Sequence, residues 1–248
     1  MPHLIVFAVL LVLTSLAFVE FFDEAERLRE PAIKGVALID VYCKEIELRA
    51  PPVSATACVT GDDEHKLHGK GALTDAHRAF LEGQGWGERV GDGLGVWVSV
   101  AEQMFRVIRG GELVWQAACS TAAAGVGTQM DSFKTPLGWH SVAEKIGDGA
   151  QWGQVFREKR PTKDIWRPGD PTREDLVLTR VLPLAGEEPG KNQGGRVDSY
   201  ARRIYIHGTN DEANIGAPTS HGCIRLTNDD VIAAYERLVV GTPVLITE

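Results

Sequence analysis

Residues 4–19 (LIVFAVLLVLTSLAFV) form an apolar run broken only by Thr14 and Ser15. At 16 residues it falls short of a comfortable bilayer span of ~20. It matches the upper end of a signal-peptide core, with Ser15-Leu16-Ala17 similar to a small-x-small cleavage site. Extension across Glu20 through Phe21 and Phe22 gives it anchor character instead, and a buried helix is the bland alternative. Residues 1–22 are therefore expected to be a signal peptide or membrane anchor. From Phe22 to about Arg89 the pattern is mixed. Asp23 to Glu30 is charged and helix-friendly, and Thr74 to Leu81 reads as a helix capped by Thr74 or Asp75. Glycines 83, 85, 87, 91, 93 and 95 then punctuate a connector.

Beyond Gly95 the period changes to two. Val96 to Ala101 alternates, as does Gln103 to Ile108 around Phe105 and Val107, and Gly110-Gly111 predicts a hairpin into a strand from Glu112 to Cys119. Further strands are predicted at Leu176 to Leu182, Arg203 to His207 and Pro243 to Ile246. One helix near the end has Thr227-Asn228 for a cap and Asp229 and Asp230 at its positive N-terminus. Its apolar face comprises Val231, Ile232, Tyr235 and Leu238. A strand-rich stretch with one packed helix predicts a mainly β (α+β) domain of about 150 residues. The polar, Gly- and Pro-rich segment 147–172 reads as a long loop, of the kind often used as a functional lid. Its Trp152 and Trp166 are expected to pack the loop down rather than stack on sugars.

The 248 residues carry 44% hydrophobic and 24% charged side chains, ordinary globular usage that excludes a disordered tail, a collagen-like rod and a multi-span membrane protein. That length fits one large domain, or one domain with an extension. The formal charge of −8 and the lack of any basic run argue against a nucleic-acid partner. Export would let disulfides persist, and Cys43 and Cys58 lie 15 residues apart before the β-rich part. A bridge there would add roughly 3 kcal/mol in the loop-entropy picture. Cys119, within Leu113 to Cys119, reads as a small core residue.

Cys223 is different. Ile204-Tyr205-Ile206-His207-Gly208-Thr209 and Pro218-Thr219-Ser220-His221-Gly222-Cys223-Ile224-Arg225-Leu226 bring two histidines, a cysteine and an arginine within 19 residues. Thiol-based acyl transfer needs an imidazole to take the proton of a weak nucleophile. The glycine before the cysteine lets backbone amides approach a tetrahedral intermediate. Arg225 offers a permanently charged fork for a carboxylate. His207 ends a predicted strand and is a natural base; His221, two residues from the thiol, is the other candidate, and the sequence leaves the choice open. A zinc site on His207, His221 and Cys223 lacks a fourth ligand, and no Cys-x-x-Cys or His-Glu-x-x-His accompanies it. A purely structural reading fits any one of these residues but not so polar and Gly-rich a string. A papain-like order would put the cysteine near the N-terminus with the histidine far downstream.

His207-Gly208-Thr209 and Ser220-His221-Gly222-Cys223-Ile224-Arg225 resemble the signature of the L,D-transpeptidases with a YkuD-type catalytic domain. The resemblance covers roughly Val96 to Glu248. Val98 to Gln103 with Phe105-Arg106-Val107 is similar to the family's opening hairpin, Lys134-Thr135-Pro136-Leu137-Gly138 to its Thr-Pro-x-Gly turn, and Asp198 to Ile206 to the strand leading to the base. The resemblance implies a YkuD-like β-sandwich, placed at 95–248, with a helix after the catalytic motif; the mixed stretch 23–94 before it is expected to be a small helical or irregular extension of unknown role. The resemblance also implies a cell-envelope enzyme acting on peptidoglycan stem peptides without metal or organic cofactor. In that picture Cys223 is the nucleophile and His207 the base that later protonates the leaving amine. His221 and Gly222 shape the oxyanion region, with Ser220 and Gly208 supporting the loop. Arg225, Tyr205 and Thr209 lie on the substrate side. The thioester intermediate leaves the acceptor open. A stem-peptide amine gives cross-links, a lipoprotein lysine an anchor, and water an L,D-carboxypeptidase or cross-link hydrolase. A non-catalytic envelope binding module is the alternative from another class.

Overall fold

The computed structural model describes residues 72–172 and 174–248. The apolar run of 4–19 and the Cys43/Cys58 pair lie outside the described residues. Among those described, no helix is long and apolar enough to cross a membrane.

The first element is the helix α1, Asp75–Gly83. Thr74 caps it: its hydroxyl accepts the His77 N–H at 3.1 Å, and His77 Nδ1 accepts the Thr74 N–H at 3.4 Å, a reciprocal capping box with histidine in the usual place of glutamate. A single turn, α2 (Trp86–Arg89), follows. The strands are β1 Leu94–Ser99, β2 Met104–Arg109, β3 Glu112–Ala118, β4 Gly138–Val142, β5 Gln154–Arg157, β6 Arg160–Ile165, β7 Val177–Gly186, β8 Tyr205–Gly208, β9 Ile224–Leu226 and β10 Pro243–Thr247. Helix α3, Asn228–Arg237, lies between the last two. Its first turn is capped by the Thr227 hydroxyl, which accepts the Asp230 N–H at 3.0 Å. Lys145 Nζ closes the other end, donating to the Tyr235 and Leu238 carbonyls at 2.6 and 2.7 Å.

The strands form one branched sheet in the order β3-β2-β1-β10-β4-β7-β5-β6, with β8 on β7 and β9 on β8. The domain is mainly β, as its sequence predicts. The long strand β7 joins the two halves: residues near its end pair with β4, and its earlier residues pair with β5 and β8. The sheet curls, so Val96, Val98 and Phe105 from one half meet Leu182, Ile206 and Ile224 from the other. Val231, Ala234 and Leu238 of α3 fill the same core. The outer face around β1 and β10 is not left to water. Trp97 and Leu245 point there and pack against Leu81 of α1 and Trp86 of α2, so both faces of β1 are buried. Gly95 makes room for this clasp, since a Cβ there would sit 2.9 Å from the Trp86 ring.

Segment 147–172, read from sequence as a long loop, contains the β5–β6 hairpin instead. Arg157 pairs with Arg160 across a two-residue turn, with Glu158 and Lys159 both at positive φ (50° and 66°). Such a type I′ turn normally advertises itself with Asn-Gly or Asp-Gly. Here Glu-Lys occupies it, and mostly exposed β6 shows no apolar alternation to mark a strand. Trp152 and Trp166 do pack together, stacked at 5.9 Å, and Trp152 Nε1 donates to Asp229 at 3.0 Å.

Candidate active site

Strands β8 and β9 run parallel, with Ile206 opposite Ile224 and His207 opposite Arg225. Ile206 and Ile224 enter the core. The two-residue pleat therefore turns Tyr205 and His207 of β8 and Arg225 of β9 to the other side, with Cys223 immediately before β9. A bulge in β7 brackets this point: Leu178 pairs with Gly208 and Val181 with His207, leaving Thr179 and Arg180 between them. Thr179 has φ 67°, costly for a β-branched residue. Its hydroxyl holds it there, accepting the Gly153 N–H at 2.9 Å and donating to Asn228 Oδ1.

The motif loop is braced from both ends. Ser120 exchanges both backbone hydrogen bonds with Arg225 at 2.9 Å, and Ser220 N–H donates to the Thr121 carbonyl at 2.8 Å. Thr135, from the Thr-Pro turn, accepts the Ala122 N–H at 3.0 Å and donates to the Gly222 carbonyl at 3.1 Å. Ser220 Oγ donates to the Cys223 carbonyl at 2.6 Å and accepts the Gly222 N–H at 3.1 Å. Gly222 is required twice over: φ is 124°, and a Cβ would lie 3.2 Å from both Ile204 Cδ1 and the Lys134 carbonyl.

The thiol of Cys223 lies 3.4 Å from the Tyr205 N–H, which donates to it, and 3.4 Å from the Arg203 carbonyl, to which it donates. Burial pushes its pKa up to about 11, with Asp175 adding to the rise; the Tyr205 N–H, Arg225 and Arg202 oppose it. His207 is 2% exposed, and its Nδ1 sits 2.8 Å from the Gly208 carbonyl. A carbonyl only accepts, so Nδ1 carries the hydrogen and Nε2 presents a lone pair. Burial lowers the pKa of this ring, with the Gly208 carbonyl and Asp175 working against that and Arg225 with it. Burial thus disfavours the charged form of both groups, the thiolate of Cys223 and the imidazolium of His207.

Arg225, expected from its motif to hold a substrate carboxylate, is 3% exposed and turned on the chain's own groups. It donates to Asp175, lies 3.5 Å from Asp211, and reaches Thr219 Oγ1 at 3.3 Å. Asp175 also accepts from His221 Nδ1 at 2.9 Å, while the Phe133 and His221 rings stand T-shaped with centroids 5.9 Å apart. Burial raises the Asp175 pKa, but His221, Arg225 and His207 outweigh it and hold the carboxyl below its usual range. Thr209, fully buried, accepts the Asp211 N–H at 3.1 Å on Oγ1 and the Asn228 side-chain amide at 2.8 Å on its carbonyl. Gly208 has no room for a Cβ, which would lie 2.5 Å from Asn228 Oδ1. Tyr205 packs with Phe156 and Val181 in a small apolar cluster against which Cys223 rests. Cys119 is a buried free thiol, its pKa pushed up to about 12 by desolvation. Among the described residues no three His, Cys, Asp or Glu side chains are grouped to hold a metal ion.

Sequence reasoning missed Asp175, which joins the motif from 46 and 50 residues upstream. The signal was indirect: an arginine in a strand entering the core must find carboxylates. It also missed the 120–123 brace, whose contacts are made by backbone and so leave no mark in side-chain pattern.

A curled, mainly β domain that carries a cysteine and two histidines on one strand pair and its leading loop defines a class of thiol–imidazole proteins. The chain belongs to the YkuD family, the L,D-transpeptidase catalytic domain, whose model matches residues 94–246. It is 31% identical over 124 residues to the probable L,D-transpeptidase ErfK/SrfK of Salmonella typhimurium, covering 50% of this chain and 36% of that one. It is 33% identical over 111 residues to the probable L,D-transpeptidase YbiS of Escherichia coli, covering 44% and 32%. The matches thus span about a third of these relatives. Among solved structures, an L,D-transpeptidase from Mycobacterium smegmatis is 20% identical with a TM-score of 0.38, covering 63% of this chain and 60% of that one.

Proposed function

We propose that this protein is a cysteine-dependent acyltransferase of the cell envelope that acts on peptidoglycan stem peptides. The observation that supports the reading is the β8–β9 pairing, which sets His207 opposite Arg225, two residues after Cys223, while the Gly208 carbonyl engages His207 Nδ1 and leaves Nε2 free to act as a base. His207 takes the thiol proton as sulfur attacks the carbonyl before a terminal D-residue. The tetrahedral oxyanion faces the backbone at Gly222 and Cys223, whose loop is held by Ser220 and Thr135. His207 then gives its proton to the departing D-Ala, leaving a Cys223 thioester. A stem-peptide amine attacks that thioester and forms the cross-link. Arg225 serves by anchoring Asp175 rather than by gripping substrate. Tyr205 lines the thiol's apolar side, and Thr209 sustains the turn after His207. Export through residues 1–22 suits such a substrate.

Incubation with stem tetrapeptides, resolved by mass, tests this reading. Release of D-Ala with a cross-linked dimer is expected. Trimmed tripeptide alone would make the chain an L,D-carboxypeptidase through the same thioester, and product only in the presence of a lipoprotein lysine would make it an anchoring enzyme. A Cys223→Ala variant that kept full product formation would remove the acyl-transfer reading and leave a binding module.

A further inference from the structure

The two histidines of the site share a tautomer and little else. His221 Nδ1 faces the Asp175 carboxylate at 2.9 Å, and an ionised carboxylate only accepts, so Nδ1 carries the hydrogen and in the neutral ring Nε2 is the lone pair. His207 reaches the same state against the Gly208 carbonyl. The motif around the thiol therefore holds two rings whose Nε2 is able to take a proton. His207 is 2% exposed, whereas the His221 side chain is 66% exposed at the rim between Asp175 and Phe133. Asp175 is itself held by the buried guanidinium of Arg225, which would lose its nearer carboxylate partner, keeping only Asp211 at 3.5 Å, if Asp175 swung away.

The transfer step needs a base in that outer position. An acceptor amine arrives from water as an ammonium ion. Carrying that charge to a buried imidazole means desolvating it, a costly step without a paired anion. We propose that His221, positioned by Asp175, is a second base that removes the proton of the incoming acceptor, while His207 serves the thiol. This step rests on the acyl-transfer reading and moves two protons. One acceptor N–H proton passes to His221 Nε2, and Asp175 supplies the counter-charge. The freed nitrogen lone pair attacks the thioester carbon, forming the C–N bond. The C–S bond then breaks, and the nitrogen's second proton returns through His207 to the departing sulfur. The proton on His221 leaves to solvent. Asp175 is a positioning residue in this scheme, and His221 the group that meets the substrate.

The test compares two small acceptors on the full chain with a stem-tetrapeptide donor: methylamine, an ammonium ion at neutral pH, and hydroxylamine, uncharged there. Products are resolved by mass, and the Cys223 thioester is followed separately. His221→Gln, a change at an exposed position, and Asp175→Asn are each expected to slow methylamine transfer at least tenfold more than hydroxylamine transfer. Asp175→Glu is expected to recover part of the difference. Equal loss with both acceptors would overturn the proposal, because it would mean the pair only shapes the loop. No loss with either would overturn it as well. Failure of the unmodified protein to form any thioester would instead sink the acyl-transfer reading beneath it, and the separate thioester measurement distinguishes the two.

Discussion

The half of the sheet around β1 and β10 and the half around β8 and β9 are buried to similar depth by opposite means. In the first, Val96 and Val98 face inward while Trp97 faces the α1–α2 clasp, and apolar area does the stabilising. In the second, the fully or nearly buried residues include Thr179, Thr209, Ser220, Arg225 and Asn228, each held by directed hydrogen bonds or ion pairs. Apolar packing is non-directional and tolerates adjustment. A buried polar network fixes side chains in place, but cutting one member strands its partners. The framework therefore supplies stability, and the polar half supplies the geometry of the site.

Replacing Arg225 with Leu would break that contrast most severely, since it removes the buried guanidinium that Asp175 and Asp211 share. A loss of about 3–5 kcal/mol is expected in denaturant unfolding, together with collapse of acyl transfer. Trp86→Ala, on the other side of the molecule, is expected to cost a comparable 3–5 kcal/mol by emptying the clasp. Activity per folded molecule should stay near that of the parent, and loss of activity without unfolding would undo the division between the halves.

Acid sharpens the comparison. His140 of β4 is fully buried, its rings nitrogens 2.9 Å from the Gly138 carbonyl and Ser199 Oγ. Burial lowers its pKa from 6.5 to about 4, outweighing the Gly138 carbonyl. Between those values the unfolded chain binds the proton and the folded chain does not, so stability falls as pH drops from about 6.5 toward 4. This one ring accounts for up to about 3 kcal/mol of that fall, and thermal melts across the window check it. The His207 pKa, lowered by burial, acts in the same direction on stability. Smallest is Thr179→Val, which strands the Gly153 N–H and Asn228 Oδ1 behind His207. It is expected to cost about 1–3 kcal/mol with a larger proportional fall in turnover than Trp86→Ala gives.

The same contrast explains what could be read in advance. Strands β1, β2, β3 and β10 and helices α1 and α3 stand out in the sequence because apolar periodicity and Ser/Thr capping are local. The motif stood out because a cysteine, two histidines and an arginine crowd a short polar string. The turn at Glu158-Lys159 was hidden by unfavourable residues for its backbone, and β4 by His140, a polar residue at a fully buried position. Asp175 was hidden by distance along the chain. Arg225 carried the right chemistry, a fork for carboxylates, but its partners within the described residues are Asp175 and Asp211.

The central claim is that the Cys223 sulfur becomes covalently loaded once His207 takes its proton. Exposure of the intact protein to a carbapenem, followed by digestion and peptide mass mapping, tests it directly. A single adduct on the peptide carrying residue 223, lost in Cys223→Ala and strongly slowed in His207→Gln, is the expected result. An unmodified Cys223, or an adduct that forms as fast without His207, would contradict it.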